Sequence, residues 1–568
     1  MNAELKKQIK EHISSIESAK DIYGLFRLLN YPKEYIFDET YKRKKQEFGF
    51  RSTDIDRILH IYQVMLIEDT IPVFLIETKT LSQSFIRNVT EKFDRHYRQF
   101  LLIFAVPEDD YSNILFVLPA REKVEGKYKL KLIRLNVNKE EIIERNEHYT
   151  VIHILSRTHY KDENYRELWK KWLESFSVEK VTEEFFEDYQ NVFFDLREQI
   201  KDQEIPQREA HEFTLQLLNR IMFTYFISKK EWLKYPNFMR WYWDEYKKLG
   251  KFGSDEFYEK WLKELFFKAF NNRQDEIEGL PKEVKEVLFG FPYLNGGLFT
   301  ENKNDKLDIK ISDQTFKRIF EFFEKYNFTI KEDAPFDVEV AVDPQMIGYV
   351  YESLSNVAEE IYDRNDMGIF YTPRVEVDFM CRRSLVEYLS KKLPEVSKEQ
   401  FYHFIFDLPE EKRKSERYFT DEDLWYDLRD ALDDLSVVDP ACGSGAFLVG
   451  MLIVLDELYK IIYKHTKDEM TDFERKFRII QYSLYGVDVM PWAIHAAELR
   501  LWLQLIIETE LKDQELKKAP LLPNLDLNLR IGDSIVQEIG GVNINIRTGR
   551  FPSKIKKRLE DLKEQKRL

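Results

Sequence analysis

The chain has 568 residues, of which 43% are hydrophobic and 33% charged, a globular composition with enough apolar material for more than one core. Its two cysteines exclude a disulfide framework and a cysteine-based zinc site, and no apolar run approaches the ~20 residues of a membrane span. The net charge of −15 argues only weakly against a nucleic-acid partner, because a large acidic chain can carry a local basic face. The charged N-terminus has no signal-peptide core, which favours a cytoplasmic location.

The first part of the chain, residues 1–160, predicts a small α/β domain. A helical stretch opens it, and four apolar runs typical of buried strands follow, with helical spacing between the first two runs. The strand-like runs are 71–76, 100–106, 114–118 and 128–135, and the helical segment is 82–97.

The middle of the chain, residues 161–365, predicts an almost wholly helical connector. Its most apolar segment is a helix over 215–233. An aromatic cluster at 241–246 follows, and it favours a helix–helix core over a surface that stacks nucleic-acid bases. An Asn-Gly-Gly turn within 291–299 separates two helices, because glycine readily adopts positive φ.

The last part, residues 366–568, returns to an alternation of strands and helices. This pattern predicts the first half of a doubly wound parallel sheet. The predicted strands are 435–438, 484–487 and 529–531, and the predicted helices are 446–465 and 491–505.

An acidic residue follows each of these three strands. The first acid, Asp439, opens a small-residue loop that ends at Gly445, where glycines let the backbone approach a ligand and amides can receive a carboxylate. Asp488 can accept hydrogen bonds from a ribose diol, and Asp533 suits an adenine amine. The string Gly-Ile-Phe-Tyr-Thr-Pro at 368–373 lies upstream. Each acid alone could be a helix cap, but the ordered set indicates a ligand site at the strand ends.

These ordered motifs resemble the S-adenosylmethionine-binding half of adenine-N6 DNA methyltransferases. The branch they resemble is that of the large type IIG restriction-modification methylases and related phage-exclusion methylases. The resemblance covers roughly residues 200–540 and includes the connector segments 218–233, 293–299 and 343–352. It implies a Rossmann-like methyltransferase sheet, DNA as the partner, and direct methyl transfer from the sulfonium to adenine N6.

The resemblance also implies a role for each matched residue. The residues that it places around the cofactor are Tyr371, Thr372, Pro373, Asp439, Pro440, Ala441, Gly443, Gly445, Asp488, Val489 and Asp533. The Tyr-Thr-Pro group would lie over the methionine end, and the loop from Asp439 would form the methionine pocket, with Asp439 near the cofactor amino group. Asp488 would hold the ribose hydroxyls, Val489 would lie against the adenine ring, and Asp533 would bind the adenine amine.

The catalytic tetrapeptide of that family, Asn/Asp-Pro-Pro-Tyr/Phe, has no counterpart, because the sequence contains no Pro-Pro pair. Its loop directs the target amine at the methyl group and stacks the flipped base. The chain is therefore expected to bind cofactor as the N-terminal part of a split, truncated or engineered methylase. A further polypeptide or segment would carry the catalytic loop and the target-recognition domain. The basic stretch 547–567 could contact DNA phosphate or form a solvated helix, and both alternatives stay open.

A second interpretation concerns Glu77-Thr-Lys79, which follows the strand-like run 71–76. The nuclease domain of the same branch carries an acid upstream of a Glu-x-Lys at a strand end. Two carboxylates would bind Mg²⁺, and the lysine would position the attacking water. Asp69 is the nearest upstream acid, so Asp69 and Glu77 are the expected ligands. Because Glu-x-Lys is common by chance, an inactive nuclease-like domain stays open. The alternatives to a methyltransferase are thus a DNA endonuclease and a non-catalytic interaction subunit of a split methylase.

Overall fold

A computed structural model describes the chain from residue 2 to residue 543, with gaps at 39–40, 125–126, 146–147, 230–231, 236, 272, 295–298, 300, 330–336, 345, 349, 351–371, 408–411, 509–524, 526–527, 536–537 and 540–541. The predicted mixed α/β class is confirmed. The basic stretch 547–567 lies outside the described residues. Among the helices that are described, none has the length and apolar character needed to cross a membrane.

Six strands of the described chain form one mixed sheet in sequence order. They are β1 (Ile58–Ile67), β2 (Ile71–Thr78), β3 (Leu101–Ala105), β4 (Asn113–Val124), β5 (Lys127–Asn138) and β6 (Asp337–Glu339). Neighbours are antiparallel except for the parallel pairs β2–β3 and β5–β6. Val73 and Leu75 face one core cluster, whereas Phe74 and Ile76 face the other, which explains the continuous apolar run in β2.

Two strands of this sheet were absent from the prediction. β1 carries His60 and Gln63, so its apolar run is interrupted although most of the strand is buried. β6 comes from the predicted connector and pairs with β5. The predicted connector therefore contributes one strand to the N-terminal sheet.

The helices around this sheet and in the connector cover both of its faces. They are α1 (Asn2–Ser14), α2 (Ala19–Leu28), α3 (Ser52–Ile55), α4 (Gln83–Asp94), α5 (Lys139–Glu144), α6 (Thr150–Arg157), α7 (Tyr165–Ser175), α8 (Val178–Lys201), α9 (Gln207–Ser228), α10 (Phe238–Lys248), α11 (Lys282–Leu288) and α12 (Asp313–Glu324), with π-helical turns at Tyr258–Leu262 and Glu264–Lys268. Tyr242, Trp243 and Tyr246 of α10 are buried, so the aromatic cluster is helix–helix core as predicted.

The C-terminal region contains a three-stranded parallel sheet, β7 (Val437–Asp439), β8 (Leu484–Asp488) and β9 (Leu529–Ile531), in that order. A two-stranded ribbon, β10 (Glu538–Ile539) and β11 (Val542–Asn543), follows it. The helices are α13 (Arg374–Lys392), α14 (Lys398–Phe406), α15 (Arg413–Asp421), α16 (Trp425–Asp433), α17 (Ala446–Thr466), α18 (Asp472–Tyr482) and α19 (Pro491–Glu508). α13 crosses α17 at Gly450, where a Cβ would lie 2.5 Å from Val377 Cγ1.

A buried ion pair fixes the centre of the connector. Arg220 of α9 donates to both carboxylate oxygens of Asp305, at 2.5 and 2.9 Å, and both side chains are at most 1% exposed. A bidentate guanidinium–carboxylate pair specifies distance and orientation together. The loop that carries Asp305 is thereby held against α9.

Removing one partner tests that role. We expect Asp305→Ala to lower the free energy of unfolding by roughly 3–5 kcal/mol, because the Arg220 guanidinium would stay buried without its counter-charge. Asp195→Ala is the matched control, since Asp195 pairs with Arg318 at 2.9 Å while both side chains are more than half exposed. The control should cost less than about 1 kcal/mol. Urea unfolding measures both variants, and equal losses would contradict the assignment.

Candidate functional site

The carboxyl ends of the three parallel strands meet at one edge of the sheet. The register pairs Asp439 with Gly486 and Asp488 with Ile531, so the acids that end β7 and β8 are neighbours. Asp533 follows β9 by two residues. Segments that leave adjacent parallel strands open onto a common crevice. The convergence of strand ends expected from the sequence is therefore observed.

Hydrogen bonds tie these strand ends to one another. Ser534 Oγ, next to Asp533, donates to the Pro440 carbonyl oxygen at 2.7 Å. The amide of Gly532 donates to the Asp488 carbonyl oxygen at 2.9 Å. The segment after β9 is thus held against both the loop after β7 and the end of β8.

The Asp488 carboxylate joins two loops. Its Oδ2 accepts a hydrogen bond from the amide of Gly443, in the loop after β7, at 2.9 Å. Its Oδ1 accepts from the amide of Met490, just before α19, also at 2.9 Å. Each carboxylate oxygen has capacity for a further hydrogen bond, so Asp488 can order the protein and still bind a ligand hydroxyl.

Asp439 lies half-buried at the bottom of the same loop. Burial and the nearby charge of Asp488 raise the pKa of Asp439, although a hydrogen bond from the Ala441 amide opposes them. Two neighbouring carboxylates in a partly desolvated crevice favour a cationic ligand group, which would relieve both effects.

Glycines let this loop pack closely against its surroundings. Gly443 and Gly445 have φ of +52° and +81°, and a Cβ on Gly445 would lie 2.8 Å from the Cβ of Ala497 on α19. A Cβ on Gly486 of β8 would lie 2.9 Å from Cys442 Sγ. Cys442 is buried, and burial raises the pKa of its thiol, which fits a residue that packs the loop.

The remaining strand-end residues lie at the outer part of the crevice. Val489 is 51% exposed and presents apolar surface directly after Asp488. Asp533 is exposed, and its Oδ1 accepts a hydrogen bond from the Ile535 amide at 2.8 Å, which orders its own turn. Both residues are accessible to a ligand bound along this edge.

The Tyr-Thr-Pro group is only partly described. Tyr371 lies outside the described residues, whereas Thr372 and Pro373 lead into α13. Pro373 lines a cavity of about 620 Å³ that is also bounded by β4, β5 and α8. The position of this group over the methionine end of a cofactor remains a prediction.

Two residues that contact the loop were not identified from the sequence. Arg500, buried on α19, donates from Nη1 to the carbonyl oxygen of Ser444 at 3.0 Å and to its Oγ at 3.4 Å. Gly348 of the connector approaches so closely that a Cβ at this position would overlap the same Oγ. In the sequence, Arg500 is a charged residue within an apolar helix, and Gly348 lies in the connector segment 343–352. Neither feature indicates that the residue contacts the loop.

The predicted metal pair of the N-terminal sheet is wrong. Asp69 lies in the turn between β1 and β2, whereas Glu77 is at the far end of β2, roughly 20 Å away at ~3.3 Å per residue. The buried Glu77 carboxylate accepts a hydrogen bond from Tyr111 and lies 2.7 Å from His60 Nδ1, while Lys79 is exposed. In the described part of the chain, no group of three or more His, Cys, Asp or Glu could hold a metal ion.

Comparison with known proteins agrees with the C-terminal geometry. Residues 412–537 match the family model of the MmeI DNA-methyltransferase domain. All three acid-bearing strand ends, at 439, 488 and 533, fall within this segment. The resemblance to DNA methyltransferases of restriction-modification systems is therefore confirmed.

Individual relatives extend the match into the connector. The chain is 31% identical over 333 residues to a predicted type II restriction enzyme and methyltransferase of Methanocaldococcus jannaschii, covering 58% of this chain and 28% of that protein. It is 22% identical over 244 residues to DNA methyltransferase A of Bacillus subtilis, covering 43% and 22%. The matched segments thus cover about a quarter of the length of each of these relatives. A solved DrdV–DNA complex aligns over 94% of this chain and 40% of that chain at 13% identity, with a TM-score of 0.27, too low to support an argument from shape.

Substitution of Gly445 tests the close approach of the loop to α19. We expect Gly445→Ala to cost clearly more stability than Gly250→Ala, because both add a Cβ at positive φ but only Gly445 has an atom within 4 Å of the new carbon. The left-handed backbone should cost each variant about 1–2 kcal/mol, and overlap with Ala497 should add roughly 1–3 kcal/mol to the first. Urea unfolding measures the difference, and identical losses would show that the loop is not packed as described.

Proposed function

We propose that this chain binds S-adenosylmethionine at the ends of β7, β8 and β9, as the cofactor half of an adenine-N6 DNA methyltransferase in a restriction-modification or phage-defence system. In this proposal, residues 366–568 are the first half of a Rossmann-like sheet. One observation carries the proposal: three acid-bearing strand ends and an amide-rich loop share one edge, inside the segment similar to a DNA-methyltransferase domain.

The groups at this edge fit a sulfonium nucleoside. Asp439 would bind the cofactor ammonium, which its neighbouring carboxylate favours. The loop amides and the start of α17 would receive the methionine carboxylate. Asp488 would accept hydrogen bonds from the ribose hydroxyls, Val489 would cover the adenine ring, and Asp533 would accept from the adenine amine. The cofactor, when bound, supplies an electrophilic methyl group for attack by adenine N6.

The transfer itself would need a segment that this sequence does not contain. No Pro-Pro pair is present to build the loop that holds the target adenine. Among the described residues β7 is hydrogen-bonded to β8 alone, and Val438 is 63% exposed, although strands of parallel sheets are normally covered on both faces. These features support a further polypeptide or segment that extends the sheet beyond β7 and carries the catalytic loop and target recognition.

Calorimetric binding of S-adenosylhomocysteine tests the cofactor site. We expect Asp439→Asn and Asp488→Asn each to weaken binding by roughly 10–100-fold, as for the loss of a charge-assisted hydrogen bond of ~1.5–3 kcal/mol. Asp434→Asn is the matched control, because Asp434 is 74% exposed on the same domain. Wild-type affinity in both site variants, or no binding by the folded wild-type chain, would reject the proposal.

The pH dependence gives a second measurement on Asp439. The ammonium needs the ionised carboxylate, so affinity should fall as pH falls through the pKa of Asp439, which lies above the usual value for an aspartate. Asp439→Asn should remove that step and leave weak binding that changes little with pH over the same interval.

Methyl incorporation into DNA tests the need for a second segment. We expect no transfer from radiolabelled S-adenosylmethionine to adenine by the chain alone, because nothing in its sequence matches the catalytic tetrapeptide. Addition of a polypeptide that carries an Asn-Pro-Pro-Tyr loop and a target-recognition domain should restore transfer. Methylation of N6 by the isolated chain would show that another residue replaces the tetrapeptide.

A further inference from the structure

Exposed Lys and Arg side chains lie in the layer that covers one face of the N-terminal sheet, although the whole chain has a net charge of −15. Residues 41–57 contain six Lys or Arg against three Asp or Glu. Part of this segment runs beside β1, where Arg43 N donates to the Ile61 carbonyl oxygen at 2.8 Å. The residues of this surface, called the basic edge below, are Lys42, Lys44, Arg51, Arg57, Lys79, Arg95 and Arg98, all exposed.

Aromatic packing brings the parts of the basic edge together. Phe48 and Phe50 are buried against Phe93 of α4, with the Phe48 and Phe93 rings stacked at 4.3 Å. These contacts hold the loop of Lys44 and Arg51 beside the end of α4, which precedes Arg95 and Arg98. The amide of Lys79 donates to the Arg57 carbonyl oxygen at 2.9 Å, so the last part of the segment 41–57 lies beside the end of β2. Because β2 and β3 are parallel, Arg95 and Arg98 precede β3 at the opposite end of the strands, and the basic edge extends along the strand direction.

The acids around the basic edge leave its charge largely uncompensated. Glu47 is paired with Arg43 at 2.6 Å, while Asp54 and Glu77 are buried. Asp56 is exposed beside the cluster. Within the described part of the chain, no member of the basic edge forms an ion pair within 4 Å. A surface of this kind attracts a polyanion.

Protection of a sheet edge explains only one member of the cluster. Lysines commonly blunt edge strands, and Lys42 bridges Tyr62 on β1, the outermost strand of this sheet. Arg51, Arg57 and Arg98 lie in the connections that precede α3, β1 and β3, outside the strands themselves. Their charge needs a different explanation.

We propose that the basic edge binds the backbone phosphates of double-stranded DNA. The choice of DNA as the polyanion rests on the proposed function, whereas the position of the surface rests on the charge pattern. Lys and Arg side chains that contact phosphates fix a protein on the duplex without reading its sequence. The N-terminal sheet would thus hold DNA while the C-terminal region binds the cofactor.

Fluorescence anisotropy with a labelled duplex tests the proposal. The variant Lys44→Gln/Arg51→Gln/Arg57→Gln/Arg98→Gln removes four charges from the basic edge. The control Lys170→Gln/Lys248→Gln/Lys282→Gln/Lys303→Gln removes four lysine charges from connector positions that are at least 67% exposed. Both variants change the net charge equally, so a difference between them reports position.

We expect the basic-edge variant to bind the duplex at least about tenfold more weakly. Its slope of log K against log salt should be smaller by ~0.9 for each phosphate that the variant no longer neutralises. The control should stay within about twofold of wild type with an unchanged slope. Equal weakening in both variants, or no duplex binding by the wild-type chain, would overturn the proposal, and preferred binding of single strands would identify a different polyanion.

Binding of S-adenosylhomocysteine by the same preparations separates this inference from the proposed function. Unchanged affinity in both variants shows that the C-terminal region is folded, so that a loss of DNA binding is local. If the wild-type chain does not bind the nucleoside, and the basic-edge variant binds the duplex more weakly than the wild-type chain, the proposed function fails and this inference stands. If the wild-type chain binds the nucleoside, and the basic-edge variant binds DNA as tightly as the wild-type chain, the proposed function stands and this inference fails.

Discussion

The carboxylate of Asp488 is the interaction on which the arrangement of the candidate site depends. It accepts amide hydrogen bonds from the loop after β7 and from the start of α19, so one side chain fixes two of the three strand ends. Gly445 against Ala497 and Arg500 on Ser444 restrain the same loop from α19. A loop that is already restrained in this way loses little entropy when a ligand binds, which lowers the cost of binding.

The parts of the fold that could be predicted from sequence are those in which local pattern and tertiary role coincide. The strand before Asp439 is short and apolar, and the acid and the small-residue loop indicate its end. The prediction that Asp69 and Glu77 bind one metal ion is wrong, because spacing along the chain does not show at which end of a hairpin a residue lies. The contact between Arg500 and Ser444 joins residues 56 positions apart, and no local signal encodes it.

The connector does more than separate the two sheets. Its strand β6 pairs with β5 of the N-terminal sheet, and its Gly348 packs against Ser444 of the candidate cofactor loop. Arg145, buried after α5, donates to Glu324 of α12 and adds a charged contact between the sheet region and the connector. Since buried polar contacts are costly to break one at a time, these junctions favour a fixed relation between the N-terminal sheet and the cofactor loop.

The C-terminal sheet combines an ordered loop at its strand ends with apolar side chains that are still exposed. The loop after β7 is ordered by internal contacts, whereas Val438 on the same strand is mostly exposed and β9 ends in the exposed Ile531. A site can be preorganised for one ligand while its sheet still has apolar surface to cover, because the loops that follow the strands and the exposed side chains on the strands are separate surfaces. A cofactor loop and a target-binding segment can therefore belong to different segments without either being disordered alone, which fits matches that cover about a quarter of each relative's length.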